Sequence, residues 1–258
     1  MDAFPAGLSA YLVGGGTADL IGASGIRLTI PPLPGSYADA QIDDTQRLPR
    51  ARFRWQPPMR MRLEARASIA APLGTLGFGF WNDPFTLSLG QGGAARRVPA
   101  APQALWFFYG SPPNDLAFSA DAPGHGWKAV SLRPPSVPGL LLAPAAAGAL
   151  MLSRLPGLAR PIVGLARRVV YASEAALPVP LDSWHAYSLS WHRCEAIFAV
   201  DDSVVLVAGH PPGGRLGFVA WIDNQYAALS PRTGLRFGLV PTAAAQALEI
   251  RNLVLESL

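Results

Sequence analysis

Three aspartates flank the aromatic stretches of this chain, and each has the chemistry of an acid or a base. Asp83 lies in Trp81-Asn-Asp-Pro84, Asp115 ends Pro113-Asn-Asp115, and Asp223 opens the polar part of Trp221-Ile-Asp-Asn-Gln-Tyr226. A carboxyl group at the mouth of an apolar cleft is pushed toward a neutral pKa, which general acid–base work requires. Aspartates beside proline also form Asx turns that cap their own backbone, and the sequence leaves both roles open. Asp223, Asn224 and Gln225 follow an apolar run, so they stand where a strand end can hydrogen-bond a ligand or where a turn can form.

Other chemistries find little support. His125, His185, His192 and His210 have no helical i, i+4 partner and no H-E-x-x-H context, so catalytic zinc is not expected. Cys194 is the sole cysteine, which leaves no disulfide framework and no thiolate cluster. There is no G-x-S-x-G elbow, and Gly14-Gly-Gly16 lacks the lysine of a phosphate loop. No metal and no cofactor is expected. The net charge of +4 over 258 residues is too weak to argue for nucleic acid.

The elements that must position these residues read as strands. Half the chain is hydrophobic and 15% is charged, enough apolar surface to fold; 26 glycines and 26 prolines exclude a helical bundle. Gly25–Ile30 alternates before Pro31-Pro32, and Arg50, Arg52 and Arg54 oppose Ala51, Phe53 and Trp55 in a period of two. After Pro57-Pro58, Met59, Met61, Leu63 and Ala65 face one way and Arg60, Arg62, Glu64 and Arg66 the other, the pattern of an antiparallel sheet with one solvated face. Further strands are expected at 76–81, 104–109, 184–191, 196–200, 204–208, 217–221, 235–240 and 248–256, with Asp201-Asp202 as a two-residue hairpin turn. Many short strands with Gly/Pro turns predict an all-β, two-sheet antiparallel sandwich or jelly roll, as one domain over residues 1–258.

Two stretches resemble a known family. Arg62-Leu-Glu-Ala-Arg66 followed by Gly77-Phe-Gly-Phe-Trp81 resembles a passage of family 16 glycoside hydrolases and their concanavalin A-like lectin and glucanase relatives. Trp184-His-Ala-Tyr-Ser-Leu-Ser-Trp191 with Ile197-Phe-Ala-Val-Asp201 is similar to a later passage of the same family. The resemblance covers about 25–130 and 180–256, and it implies a two-sheet jelly roll whose concave sheet forms a sugar-binding cleft. It also implies a pair of catalytic carboxylates on the strand after Trp81, because retaining glycosidases use two such groups.

That strand departs from the pattern. It reads Pro102-Gln-Ala-Leu-Trp-Phe-Phe-Tyr-Gly110, with Gln103, Leu105 and Phe107 or Phe108 where carboxylates belong. The standard glycosidase mechanism is therefore expected to be lost, as in a pseudoenzyme. Gln103, Leu105, Phe107 and Tyr109 share one face, and Ala104, Trp106 and Phe108 the other. One of the two is core. An aromatic platform on the remaining one, with Trp81 and Trp221 nearby, can stack on a sugar or hold an apolar molecule. The expected function is glycan or glycoconjugate binding. The alternatives are a repurposed enzyme acting on a hydrophobic small molecule, or a structural or membrane-surface protein.

Residues 136–177 are apolar, uncharged between Arg133 and Arg154, and broken by prolines. They predict an apolar helical insertion, either packed over the sandwich, closing over a ligand, or touching a membrane surface peripherally. The start, Met1-Asp-Ala-Phe-Pro5, has no basic region before an apolar stretch, so a secretory signal is not expected and a cytoplasmic location is.

Overall fold

The computed structural model describes residues 4, 7–46, 48–84, 97, 100–117, 123–134, 171–230 and 234–258. Along the chain the first strands are β1 (Ser9–Val13), β2 (Thr17–Ile21), β3 (Gly25–Ile30), β4 (Asp39–Asp43), β5 (Met59–Ala67), β6 (Thr75–Trp81), β7 (Ala104–Gly110) and β8 (Gly126–Arg133). Past residue 170 come β9 (Tyr171–Ala176), β10 (His185–Trp191), β11 (Ala196–Val200), β12 (Ser203–Ala208), β13 (Gly217–Asp223), β14 (Gln225–Ser230), β15 (Gly234–Leu239) and β16 (Gln246–Ser257).

Two seven-stranded sheets face each other. The first has the order β1-β4-β13-β6-β7-β8-β9, the second β12-β11-β10-β5-β16-β3-β2, and β14 and β15 form a separate hairpin. Every pairing within the two sheets is antiparallel among the described residues. The chain crosses between sheets after β1, β3, β4, β5, β9 and β12, and returns to the second sheet through β16. This is a two-sheet antiparallel sandwich, consistent with a jelly roll.

Period-2 alternation builds the core. Leu76, Phe78 and Phe80 of β6 point inward with Leu105, Phe107 and Tyr109 of β7, against Tyr187, Leu189 and Trp191 of β10. Phe78 lies 5.4 Å from Phe107 and 5.1 Å from Tyr187, edge-on to the latter, while Phe107 meets Phe198 of β11 at 5.3 Å. Each such ring contributes about 1.5–3 kcal/mol by leaving water. On β5 the expected alternation holds: Met59, Met61, Leu63 and Ala65 are buried, and the arginines between them are not.

The β11–β12 turn is the expected two-residue hairpin. Asp201 and Asp202 have φ of 49° and 64°, the left-handed pair that a type I′ turn needs. Two expectations change. Arg50–Arg52 forms a single 3-10 turn and not the start of a strand, because the Arg50 side chain swings to the backbone oxygens of Asn82 and Asp83, 2.6 Å from each. Of the expected helical insertion at 136–177, residues 136–170 lie outside the described residues, and its last part is strand: β9 pairs along β8 from Arg133↔Tyr171 to Lys128↔Ala176. Pairing with a sheet edge satisfies that backbone better than an isolated helical turn would. Among the described residues no helix is long and apolar enough to cross a membrane.

Candidate functional site

The outer face of the first sheet carries an aromatic floor. Trp81 of β6, Trp106 and Phe108 of β7, and Trp221 of β13 all point away from the inter-sheet core. Trp106 is the hub: its ring lies 5.9 Å from Trp81, 5.7 Å from Trp221 and 6.4 Å from Phe108, and Phe108 meets Trp221 at 6.1 Å. The three indoles are half-buried, so edges and faces remain in contact with solvent. The indole N–H groups of Trp81 and Trp106 are buried without a hydrogen-bond partner.

Two glycines make the floor possible. Gly77 and Gly79 of β6 occupy outward positions between β13 and β7. A Cβ on Gly77 would meet Trp221 Cη2 at 2.9 Å and run into the Phe107 carbonyl, so the Trp221 ring lies directly across bare backbone. Gly79 has φ of +143°, a region that side chains avoid, and a Cβ there would strike the Leu105 carbonyl. The sequence Leu76-Gly-Phe-Gly-Phe80 thus sends phenylalanines inward and leaves a flat outer strip on which neighbouring indoles lie.

One end of this face is acidic. Asp223 of β13 and Asp39 of β4 are directly opposite in register, so their side chains leave the sheet side by side. Asp223 Oδ1 accepts the Thr75 hydroxyl at 2.7 Å and the Gln225 N–H at 3.1 Å, and Thr75 Oγ1 in turn accepts the Trp221 indole N–H at 3.0 Å. A hydrogen-bonded chain therefore joins the aromatic floor to the carboxylate. Asp39 is 6% exposed, and its Oδ1 has no partner. Burial, then the facing charge of Asp223, hold the Asp39 carboxyl well above the usual range despite a hydrogen bond with Tyr37. Burial pushes Asp223 up to about 6, against the hydrogen bonds from Thr75 and Gln225. Burial and these two carboxylates push the Tyr37 phenol far up, so it stays a donor. Asp43, also on β4, is spent on structure: its Oδ1 accepts the Thr45 and Gln46 N–H groups at 2.8 and 2.9 Å and the Thr45 hydroxyl at 2.7 Å.

The other end of the face is closed by a buried ion pair. Lys128 of β8 meets Glu174 of β9 at 2.6 Å, donates to the Leu116 carbonyl at 2.6 Å, and lies over the Phe108 ring at 5.9 Å. Both side chains are inaccessible to water. The pair is neutral as a unit and adds no net charge beside the floor.

The sequence candidates separate by face. Trp81, Trp106, Phe108, Trp221 and Asp223 come together on the outer face. Leu105, Phe107 and Tyr109 turn inward and belong to the core, a correction to their place as ligand contacts; strand alternation makes it unavoidable once Trp106 and Phe108 point out. Gln103 precedes β7, where its backbone pairs with Asn82 in both directions. Asn224 is fully buried and acts as a clamp, accepting from the Ala38 N–H at 3.0 Å and donating to the carbonyls of Ser36 and Val240. Gln225 starts β14 and gives Asp223 its N–H.

Asp83 and Asp115 are drawn into structure. Asp83, at φ 45°, is ion-paired with Arg97 and lies away from Asp223, at the far end of β6. Burial raises its carboxyl, and the Arg97 charge opposes that rise. Asp115 bridges Ala228 of β14 through its backbone. His185 binds Asp201 at the β11–β12 turn, Nδ1 to Oδ2 at 2.6 Å, far in the fold from the aromatic face. Asp39, Tyr37 and Thr75 are the members that sequence reasoning missed. The alternation Asp39-Ala-Gln-Ile-Asp43 is the signal that could have found the first: polar residues on one side, Ala40 and Ile42 on the other. Among the described residues no three of His, Cys, Asp or Glu are grouped so as to hold a metal ion.

No protein-family model matches the chain, and no curated protein matches it. Among solved structures it is similar to a sialidase, with TM-score 0.46, 9% identity and 97% of this chain covered; the chain spans 17% of that protein's length. A glycoside hydrolase family protein from Mycobacterium thermorestibile gives TM-score 0.45 and 13% identity, covering 89% of this chain and 76% of that one. The Emp47p carbohydrate recognition domain gives 0.44 and 10%, covering 96% and 89%. Overlaps and identities of this size carry no statement about ligand or reaction.

Proposed function

We propose that this chain binds a glycan on the outer face of its first sheet, as a diverged relative of the family 16-like sandwiches whose motifs it resembles, without their hydrolytic mechanism. The observation that carries this reading is the half-open floor of Trp81, Trp106, Trp221 and Phe108, laid over the bare strip at Gly77 and Gly79 and bounded by hydrogen-bonding groups. Flat indoles stack on the C–H faces of pyranose rings, and flanking polar groups fix the hydroxyls. The outward positions of β6, β7 and β8 carry no carboxylate, so the paired groups of retaining hydrolysis are missing from the middle of the face.

Isothermal titration against neutral oligosaccharides of glucan, galactan, xylan and N-acetylglucosamine tests this. Binding that Trp106→Ala abolishes, with the melting temperature kept within a few degrees, is the expected result. A chain that binds none of them, or that binds equally without the indole, overturns the reading.

A second reading, acid–base catalysis, is favoured by one observation: Asp223 is held near 6 beside Asp39, the range in which a carboxyl can give and take a proton. On that reading, product appears on prolonged incubation with a bound oligosaccharide and Asp223→Asn stops it. A lid over a hydrophobic substrate falls on 135–170, outside the described residues.

A further inference from the structure

The acidic end of the aromatic face has a charge problem that a ligand can solve. Asp39 and Asp223 project side by side, and β1, β4, β13 and β6 contain no lysine, arginine or histidine to offset them. The basic groups of the sheet's far side do not help, because Lys128 is consumed by Glu174. Asp43 is nearby on β4, but its oxygens are occupied by Thr45, Gln46 and Gln41. Asp223 has one oxygen committed to Thr75 and Gln225, while Asp39 keeps a buried oxygen with no donor at all. A buried acceptor without a partner costs free energy until something donates to it.

Resting on the glycan reading, we propose that the Asp39–Asp223 pair selects sugars that carry a protonated amine. An ammonium group brings three donors and a positive charge, so it can take the place of the proton that the buried pair otherwise holds and can donate to the unpartnered oxygen. The position suits it: Trp221 hands its indole N–H to Thr75, and Thr75 hands its hydroxyl to Asp223, so a ring stacked on Trp221 has its substituents next to the carboxylates. Sugars bearing carboxylate or sulfate meet like charge there and are rejected.

The test is titration at pH 6.5, where Asp223 is mostly ionised and much of the amine stays charged, with three probes: a glucosamine hexamer, an N-acetylglucosamine hexamer and an oligomannuronate. The first two differ at the 2-amino group alone, an ammonium in one and an uncharged acetamide, with its carbonyl and methyl, in the other. The glucosamine hexamer is expected to bind about tenfold more tightly than its acetylated counterpart, the size of one charge-assisted hydrogen bond, and the oligomannuronate not measurably. Asp223→Asn, whose amide keeps an oxygen for Thr75, is expected to bring the ratio of the two affinities to about one. Asp39→Asn serves as a second variant if the first melts early. Equal affinity for the two hexamers, or an Asp223→Asn loss shared by both, overturns the selection while leaving the glycan reading standing. Failure of every probe overturns both.

Discussion

The Asp39–Asp223 pair makes stability depend on pH in a direction opposite to that of most carboxylates. Asp223 is held at about 6, above its ordinary value of 3.8, chiefly by burial. The native state therefore keeps a proton that the unfolded chain gives up, and stability is greatest below 3.8 and falls as pH rises through 6. The gap between the two values corresponds to about 3 kcal/mol lost by neutral pH. For a chain of this size, that is about 6–12 °C in melting temperature. Asp39 adds in the same direction, because burial and the Asp223 charge raise it as well. The assay is thermal unfolding at half-unit steps from pH 4 to 8 for wild type, Asp223→Asn and Asp39→Asn. Carboxylates elsewhere titrate in all three proteins, so the readout is the difference between curves. Asparagine at 223 cannot ionise and removes the charge facing Asp39, so the variant is expected to gain on wild type as pH rises from 4 to 7. Parallel curves for wild type and both variants, or a variant that falls behind with rising pH, would refute the reasoning from burial and facing charge.

Three further outcomes follow from particular contacts. Lys128→Met strands the Glu174 carboxylate in a dry site and is expected to cost about 3–5 kcal/mol in chemical denaturation, whereas Lys128→Met with Glu174→Leu recovers most of it. Gly79→Ala places a methyl against the Leu105 carbonyl at a φ that alanine avoids, so a loss of at least about 1–2 kcal/mol, with reduced indole ordering by near-UV circular dichroism, is expected. Asp202→Gly relieves a left-handed residue in the β11–β12 turn, and a gain of about 0.5–1 kcal/mol in urea denaturation is expected.

What the sequence revealed followed from what each signal measures. Alternation reports which residues share a face, so β5 and β10 were legible, as was the split of β7 into Leu105, Phe107 and Tyr109 against Trp106 and Phe108. It does not report which of two aromatic faces is core; that depends on the strands lying across the sandwich, here Tyr187 and Phe198. The Arg50–Trp55 alternation misled because the Arg50 side chain found backbone oxygens 32 and 33 residues away, a tertiary bond with no local signature. The facing of Asp39 and Asp223 was invisible for the same reason: the partners are far apart in sequence and meet only through strand register. Asn224 read as a ligand contact because a buried clamp and a binding amide have the same composition; only its bonds to Ser36, Ala38 and Val240 tell them apart.

The bare strip at Gly77 and Gly79 also constrains how this surface can change over generations. A residue with any side chain at either position collides with main-chain oxygens, so the two sites cannot drift, and they hold the indoles beside them in place. Substitutions that change this surface must then fall around the perimeter, at Gln41, Thr75 and the two aspartates, while the floor stays as it is. A lineage carrying this strand is expected to vary at the rim of the face and to keep its middle.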